Sequence, residues 1–430
     1  MNLNLNDFLK ANGLDATRHD FDREVSRFQE AMDAGLQGKE SSLRMLPTFV
    51  GVPEDIQPNH KVLAIDLGGT NLRAGLIGFD ANAEASVLEL RKRKMPGHDT
   101  RVGRDEVFDA IAELTVDWLD QTEQVGFCFS NAFEFQENGD AKVLHFGKEL
   151  QVDGMVGSLL IENLRAAWVR KGSTREVKVV VLNDTVSTLL MGKLLYPRRK
   201  VSDFIGFILG TGMNISYLEA NECITKLNNF VPGRKQVINT ECGDYAGFEQ
   251  SHFDKLLDAT TTNQGHYLME KTMSGAFVGR LVAVVINEAV KQGCVKSAVP
   301  ERLSTKHVND FLLGKGGSDN PLIANCEANA ANFEDYFTII NEVLKRAAKF
   351  AAIALVATAT RSGSRDNFSA PLLLSIDGSS YAGEYFYRER IEAYLWKHLR
   401  KKHGICFQII RPENASLLGA SVAALGSQLG

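Results

Sequence analysis

Three short stretches of the chain carry residue types suited to a polyphosphate and an attacking hydroxyl. The first is Asp66-Leu67-Gly68-Gly69-Thr70-Asn71. Adjacent glycines let backbone approach a polyanion, because no Cβ intervenes. Thr70 and Asn71 add side-chain donors beside their own N–H groups, giving a phosphate-sized nest. Asp66, at a strand end, is placed to hold a magnesium ion through water. A plain tight hairpin accounts for the same glycines. The second stretch is Gly210-Thr211-Gly212. Alone it reads as a glycine hairpin; as counterpart of the first turn it completes a clamp around one nucleotide. The third is Asn183-Asp184, which closes the apolar run 177–182. A carboxylate at the carboxyl end of a buried strand faces the cleft of an α/β sheet. There it can take a proton from a hydroxyl. A helix N-cap for the residues that follow explains it equally well.

Ser130, Lys148, Asn214, Glu241 and Glu270 are the remaining polar candidates. Amides and carboxylates of this kind exchange hydrogen bonds with the hydroxyls of an uncharged sugar. Taken singly, each reads more readily as a surface or capping residue.

The elements that must position these groups follow from periodicity. Apolar runs predict strands at 61–65, 72–79, 86–94, 125–129 and 177–182. Helices are predicted over 20–32, 105–121, 155–171 and 186–195. Val107, Ile111, Leu114 and Trp118 form one face of the second. A second pass begins at Asp203, with strands at 204–209, 213–218 and 223–227. Helical runs over 253–291 and 332–360 follow, then strands at 371–376 and 406–410 and helices at 384–401 and 415–425. Each half opens with strand, glycine turn, strand. That predicts a duplicated α/β architecture with a cleft between two lobes.

Composition excludes several classes. The 430 residues exceed one ordinary domain, and 44% apolar with 23% charged residues is a globular balance. A net charge of −5 provides no basic field for nucleic acid or a membrane surface. The longest apolar run, near 350–360, is far short of a membrane helix. Cysteines at 128, 223, 242, 294, 326 and 406 make no CxxC pair, which argues for reduced thiols in a cytoplasmic protein. The nine histidines show no metal-ligand spacing.

Five motifs together resemble the eukaryotic-type hexokinase family from about residue 20 onward. They are DLGGTNLR at 66–73, LNDT at 182–185, GTGMN at 210–214, NTECG at 239–243 and LSIDGS at 374–379. Their order and spacing match the family's, a far more specific signal than any one of them. The resemblance implies a two-lobed, duplicated actin-like ATPase (ribonuclease H-like) fold with a central cleft. The small lobe would be 61–183 with helix 415–430, the large lobe 184–414 with segment 1–60. It further implies transfer of the ATP γ-phosphate to the 6-hydroxyl of a hexose such as glucose, with Mg2+. Asp184 would be the catalytic base, and Lys148 would stabilise the developing charge. Ser130, Gly147, Lys148, Asn183, Asp184, Asn214, Glu241 and Glu270 would surround the sugar. Asp66, Leu67, Gly68, Gly69, Thr70, Asn71, Gly210, Thr211, Gly212, Gly378, Ser379 and Ser416 would line the ATP site. The partners implied are hexose and ATP, with no nucleic acid and no membrane, in a cytoplasmic monomer or homodimer.

The chain departs from the family pattern at Asn131-Ala132 and Gly147, where Phe-Pro and Thr are usual, and at Leu417-Leu418. These departures leave room for a catalytically weakened sugar sensor of the same fold. A sugar-independent nucleotide switch is a third reading, opposed by the matching sugar-ligand positions.

Overall fold

The structure, a computed structural model, describes residues 4–69, 71–136, 138–146, 150–196, 200–227, 231–362, 367–383 and 387–426. Two sheets organise it. The first contains β1 (His60–Leu67), β2 (Asn71–Phe79), β3 (Ala85–Lys94), β4 (Gln124–Phe129) and β5 (Lys178–Leu182) in the order β5-β4-β1-β2-β3. The first three strands meander antiparallel, while β4 and β5 run parallel to β1. The second contains β6 (Asp203–Leu209), β7 (Met213–Ala220), β8 (Lys235–Asn239), β9 (Leu372–Asp377) and β10 (Phe407–Ile410) in the order β8-β7-β6-β9-β10. Its pairings repeat those of the first, strand for strand. Identical order and direction in both halves is the duplication that the two glycine turns announced. Leu46–Pro47 extends the second sheet by pairing with β8.

The third strand of the second half corrects the sequence reading. Residues 223–227 are not a strand; a 3-10 turn at Asn221–Cys223 precedes a loop, and the strand is β8. Its sequence, KQVIN, hides the pattern because polar residues face inward. Buried Gln236 donates to Asn221 Oδ1 at 2.9 Å and accepts the Phe49 N–H at 3.0 Å. The helical run 253–291 is three helices, and the predicted helix 155–171 begins only at Leu160. Two helices at Thr305–Leu312 and Pro321–Ala328 and a hairpin of Phe133–Phe135 with Ala141–Val143 were not anticipated.

Helices fill the layers. On one face of the first sheet lie α1 (Arg104–Thr115) and α2 (Leu160–Arg170), burying Val107, Ile111, Leu164 and Trp168. Between the two sheets lie α3 (Asp184–Leu195), against β6, and α4 (Ala415–Leu425), against β4 and β1. These two helices cross in direct backbone contact. A Cβ on Gly419 would fall 2.0 Å from the Ser187 carbonyl oxygen, so only glycine permits the approach. All six cysteines are free thiols. Among the described residues, no helix is long and apolar enough to cross a membrane.

Candidate active site

The carboxyl ends of β1, β4, β5, β6 and β9 and the start of α3 converge on one cleft, where α/β sheets collect their ligands. Asn183, in extended conformation after β5, caps α3. Its Oδ1 accepts the Thr185 N–H at 3.0 Å and the Thr185 hydroxyl at 2.6 Å. Asp184 is therefore the first helical residue and not the cap, although its Oδ1 also accepts the Thr185 N–H at 2.9 Å. Its carboxylate stands in the first turn, where the helix dipole favours negative charge.

Beside Asn183 lies a network of amides and a carboxylate. Asn214 Nδ2 donates to Asn239 Oδ1 at 2.7 Å and to Glu241 Oε1 at 3.2 Å, and approaches Asn183 Oδ1 at 3.5 Å. Asn239 Nδ2 donates to Glu241 Oε1 at 2.8 Å. Asn214 Oδ1 is fixed by the Ile215 N–H at 2.8 Å. Glu241 holds left-handed backbone at φ 54°, a conformation that costs a side-chain-bearing residue about 1 kcal/mol or more. Glu270 belongs to α5 (Leu268–Met273) and accepts the Met213 N–H through Oε2 at 3.0 Å. Asn183, Asn214, Glu241 and Glu270, which the sequence singled out, thus surround one small volume. Asn239 was missed, although it stands in the same Asn-Thr-Glu motif. Ser130 is buried at the end of β4, its N–H donating to the Leu67 carbonyl at 3.2 Å. Gly147, Lys148 and Thr70 lie outside the described residues.

Both glycine turns close as tight hairpins: Gly68 N–H donates to Asn71 O at 3.2 Å, and Gly210 N–H to Gly212 O at 2.9 Å. The plain-turn reading and the phosphate reading are compatible, because the turn itself aims the backbone. Leu67 is wholly buried, so its side chain serves the core and only its backbone borders the cleft. Thr211 is exposed at the tip of the second turn. Gly378, at φ 121°, abuts this turn; its α-carbon would lie 3.3 Å from a Cβ on Gly210. Ser380 Oγ donates to Gly210 O at 3.1 Å, which fixes Ser379 beside the same turn.

Ser416 joins the first hairpin through Arg73. Arg73 donates to Asp66 Oδ2 from Nε at 2.9 Å and from Nη2 at 2.5 Å, and from Nη2 to Ser416 Oγ at 3.1 Å. Arg73 ends the DLGGTNLR motif, yet its type alone gave no role. The unexpected Leu417 is buried in the core between the sheets, so its side chain serves packing. The Asp377 carboxyl is pushed upward, first by burial and also by the charge of Asp184, against the Gly378 N–H and Arg73. Crowded carboxylates of this kind suit a divalent cation. Among the described residues no cluster of three or more His, Cys, Asp or Glu forms a metal cage, so most ligands would come from phosphate and water.

Two hexokinase family models match, one over residues 7–194 and the other over 204–426. A hexokinase of Schistosoma mansoni is 30% identical over 305 residues, covering 67% of this chain and 66% of that one. A hexokinase of Brugia malayi is 24% identical over 435 residues, covering 93% and 73%. The chain spans about half the length of the mouse hexokinase HKDC1, at 28% identity and 46% of that protein. The solved structure of Schistosoma mansoni hexokinase complexed with glucose superposes with a TM-score of 0.80 at 26% identity, covering 98% of both chains. Duplicated sheets, a shared cleft and two family models spanning both halves lead to one conclusion: the chain belongs to the hexokinase family of ATP-dependent hexose kinases.

Proposed function

We propose that the chain transfers the γ-phosphoryl group of ATP to the 6-hydroxyl of a hexose such as glucose. The observation that carries the reading is Asp184. Asn183 caps α3 and approaches Asn214 of the Asn214–Asn239–Glu241 network, and Asp184 is the next residue. Phosphoryl transfer asks a protein mainly for positioning and charge stabilisation. Asn183, Asn214, Asn239, Glu241 and Glu270, with Ser130 and Lys148, hold the sugar hydroxyls and orient the 6-hydroxyl. Asp184 accepts its proton. The N–H groups of the two glycine hairpins cradle the phosphates, with Gly378, Ser379 and Ser416 alongside. Asp66, through water, would hold magnesium, which when bound supplies neutralisation of phosphate charge. Residues 61–183 with the C-terminal helix, and 184–414 with the N-terminal segment, act as two lobes that exclude water when closed. A coupled assay for ADP release with and without glucose tests this reading. Release that requires glucose and yields the 6-phosphate is expected; glucose-independent release, or none, contradicts it.

A further inference from the structure

Beyond the residues assigned to the sugar, an aromatic contact ties the two walls of the cleft. The His145 and Tyr267 rings lie 5.5 Å apart between centroids, tilted by 52°. His145 follows the small hairpin beside the first sheet, and Tyr267 immediately precedes α5 beside the second. We propose that this pair is a clasp across the mouth of the cleft, and that its two members are positioning residues for the sugar. The inference rests on the hexose-kinase reading above.

Each side of the clasp is anchored independently. The N–H groups of Leu144 and His145 donate to the Ala132 carbonyl at 3.0 and 3.3 Å. Phe146 stacks on Phe129 at 6.0 Å and 18°, which roots the loop in the first lobe's core. His145, the preceding residue, reaches Tyr267 instead. Tyr267 holds left-handed backbone at φ 54°, and its N–H donates to Asp244 Oδ1 at 2.7 Å. A residue with a Cβ kept in that conformation is held there by its surroundings. Burial first, then Glu241, pushes the Tyr267 hydroxyl upward; Asp244 and Glu270 add to this and Arg44 opposes it. Tyr267 therefore stands among the carboxylates assigned to the sugar.

Chain connectivity gives the contact its consequence. Ser130 comes two residues before Ala132, whose carbonyl holds the His145 N–H, and Glu270 comes three residues beyond Tyr267. Holding the rings together holds the strand end that bears Ser130 near the helix that bears Glu270. A second aromatic pair, Phe49 with Phe135 at 5.6 Å and 87°, bridges the same two walls.

A tilted aromatic pair of this kind is worth roughly a two- to tenfold change in an equilibrium. The test compares wild type with Tyr267→Ala, His145→Ala, the double variant and Tyr267→Phe. Glucose kinetics and small-angle scattering of the sugar-free proteins are measured for each. Each alanine variant is expected to raise KM for glucose roughly two- to tenfold with kcat nearly unchanged, and Tyr267→Phe to resemble wild type. The double variant should be no worse than the worse single one. Both alanine variants should show an increased radius of gyration. Additive KM effects, unchanged KM or an unchanged radius would each overturn the clasp. Wild type without glucose-dependent activity would refute the parent reading alone, and scattering would still decide the clasp.

Discussion

Gly212 and Glu270 share one space: a Cβ on Gly212 would lie 2.6 Å from Glu270 Oε2. The last glycine of the second turn is therefore also the residue that lets the Glu270 carboxylate reach the Met213 N–H. The residues proposed for the sugar and those proposed for the phosphates meet at this position.

Gly212→Ala follows from that contact. Gly212 does not occupy the left-handed region, so alanine is tolerated by the backbone, and the carboxylate of Glu270 must shift. A hydrogen bond to a charged group is worth about 1.5–3 kcal/mol, so KM for the hexose should rise about tenfold or more. Steady-state kinetics with each substrate varied check this. A rise in KM for ATP alone would show that the turn, not Glu270, governs the position.

Gly419→Ala tests the helix crossing. The new methyl group meets the Ser187 carbonyl, backbone that cannot swing aside. Overpacking of this kind costs about 1–3 kcal/mol. Chemical denaturation should show a lower midpoint with the same slope, and an unchanged midpoint would mean that the α3–α4 contact is looser than the structure has it.

Much of this was legible in the residues. The strand, glycine turn, strand units announced both sheets because two apolar runs separated by a flexible break leave few alternatives. The 105–121 face was readable for the same reason: Val107, Ile111 and Trp118 are buried where helical spacing puts them. The β8 strand was not, because its inward Gln236 and Asn239 bond to other polar groups and so break the apolar alternation. Asn183 and Asp184 could not be separated by type, since either caps a helix; only the backbone shows which one does. Gly212 read as a phosphate glycine, and the contact that demands it comes from Glu270, far away in the chain.

Two buried histidines predict a fold that loses stability in acid. His19 is held down to about 4, by burial first and then by Arg346 and Lys349. His398 is likewise held to about 4, by burial first and then by Lys397. His19 packs edge-on to Phe350 and His398 stacks on Phe21, both around the start of the helix Phe21–Leu36. An unfolded histidine titrates near 6.5, so the unfolded chain binds protons more readily than the native one. Their contribution to stability is complete above about pH 6.5 and is lost as pH falls toward 4. Thermal melts between pH 7.5 and 4.5 should show a falling Tm. His398→Phe, which keeps the stacking ring, should fall less steeply. An equal slope in variant and wild type would place the acid sensitivity elsewhere.

The central claim is that Asp184 is the base. Asp184→Ala removes the proton acceptor but leaves the Asn183 cap and the Asn214–Asn239–Glu241 network in place. General-base catalysis contributes about 10²–10⁴-fold. Single-turnover and steady-state kinetics, with glucose binding measured by calorimetry on the same preparation, should show kcat reduced by at least that order and glucose affinity little changed. A variant that binds glucose normally and keeps near-normal kcat would contradict the account.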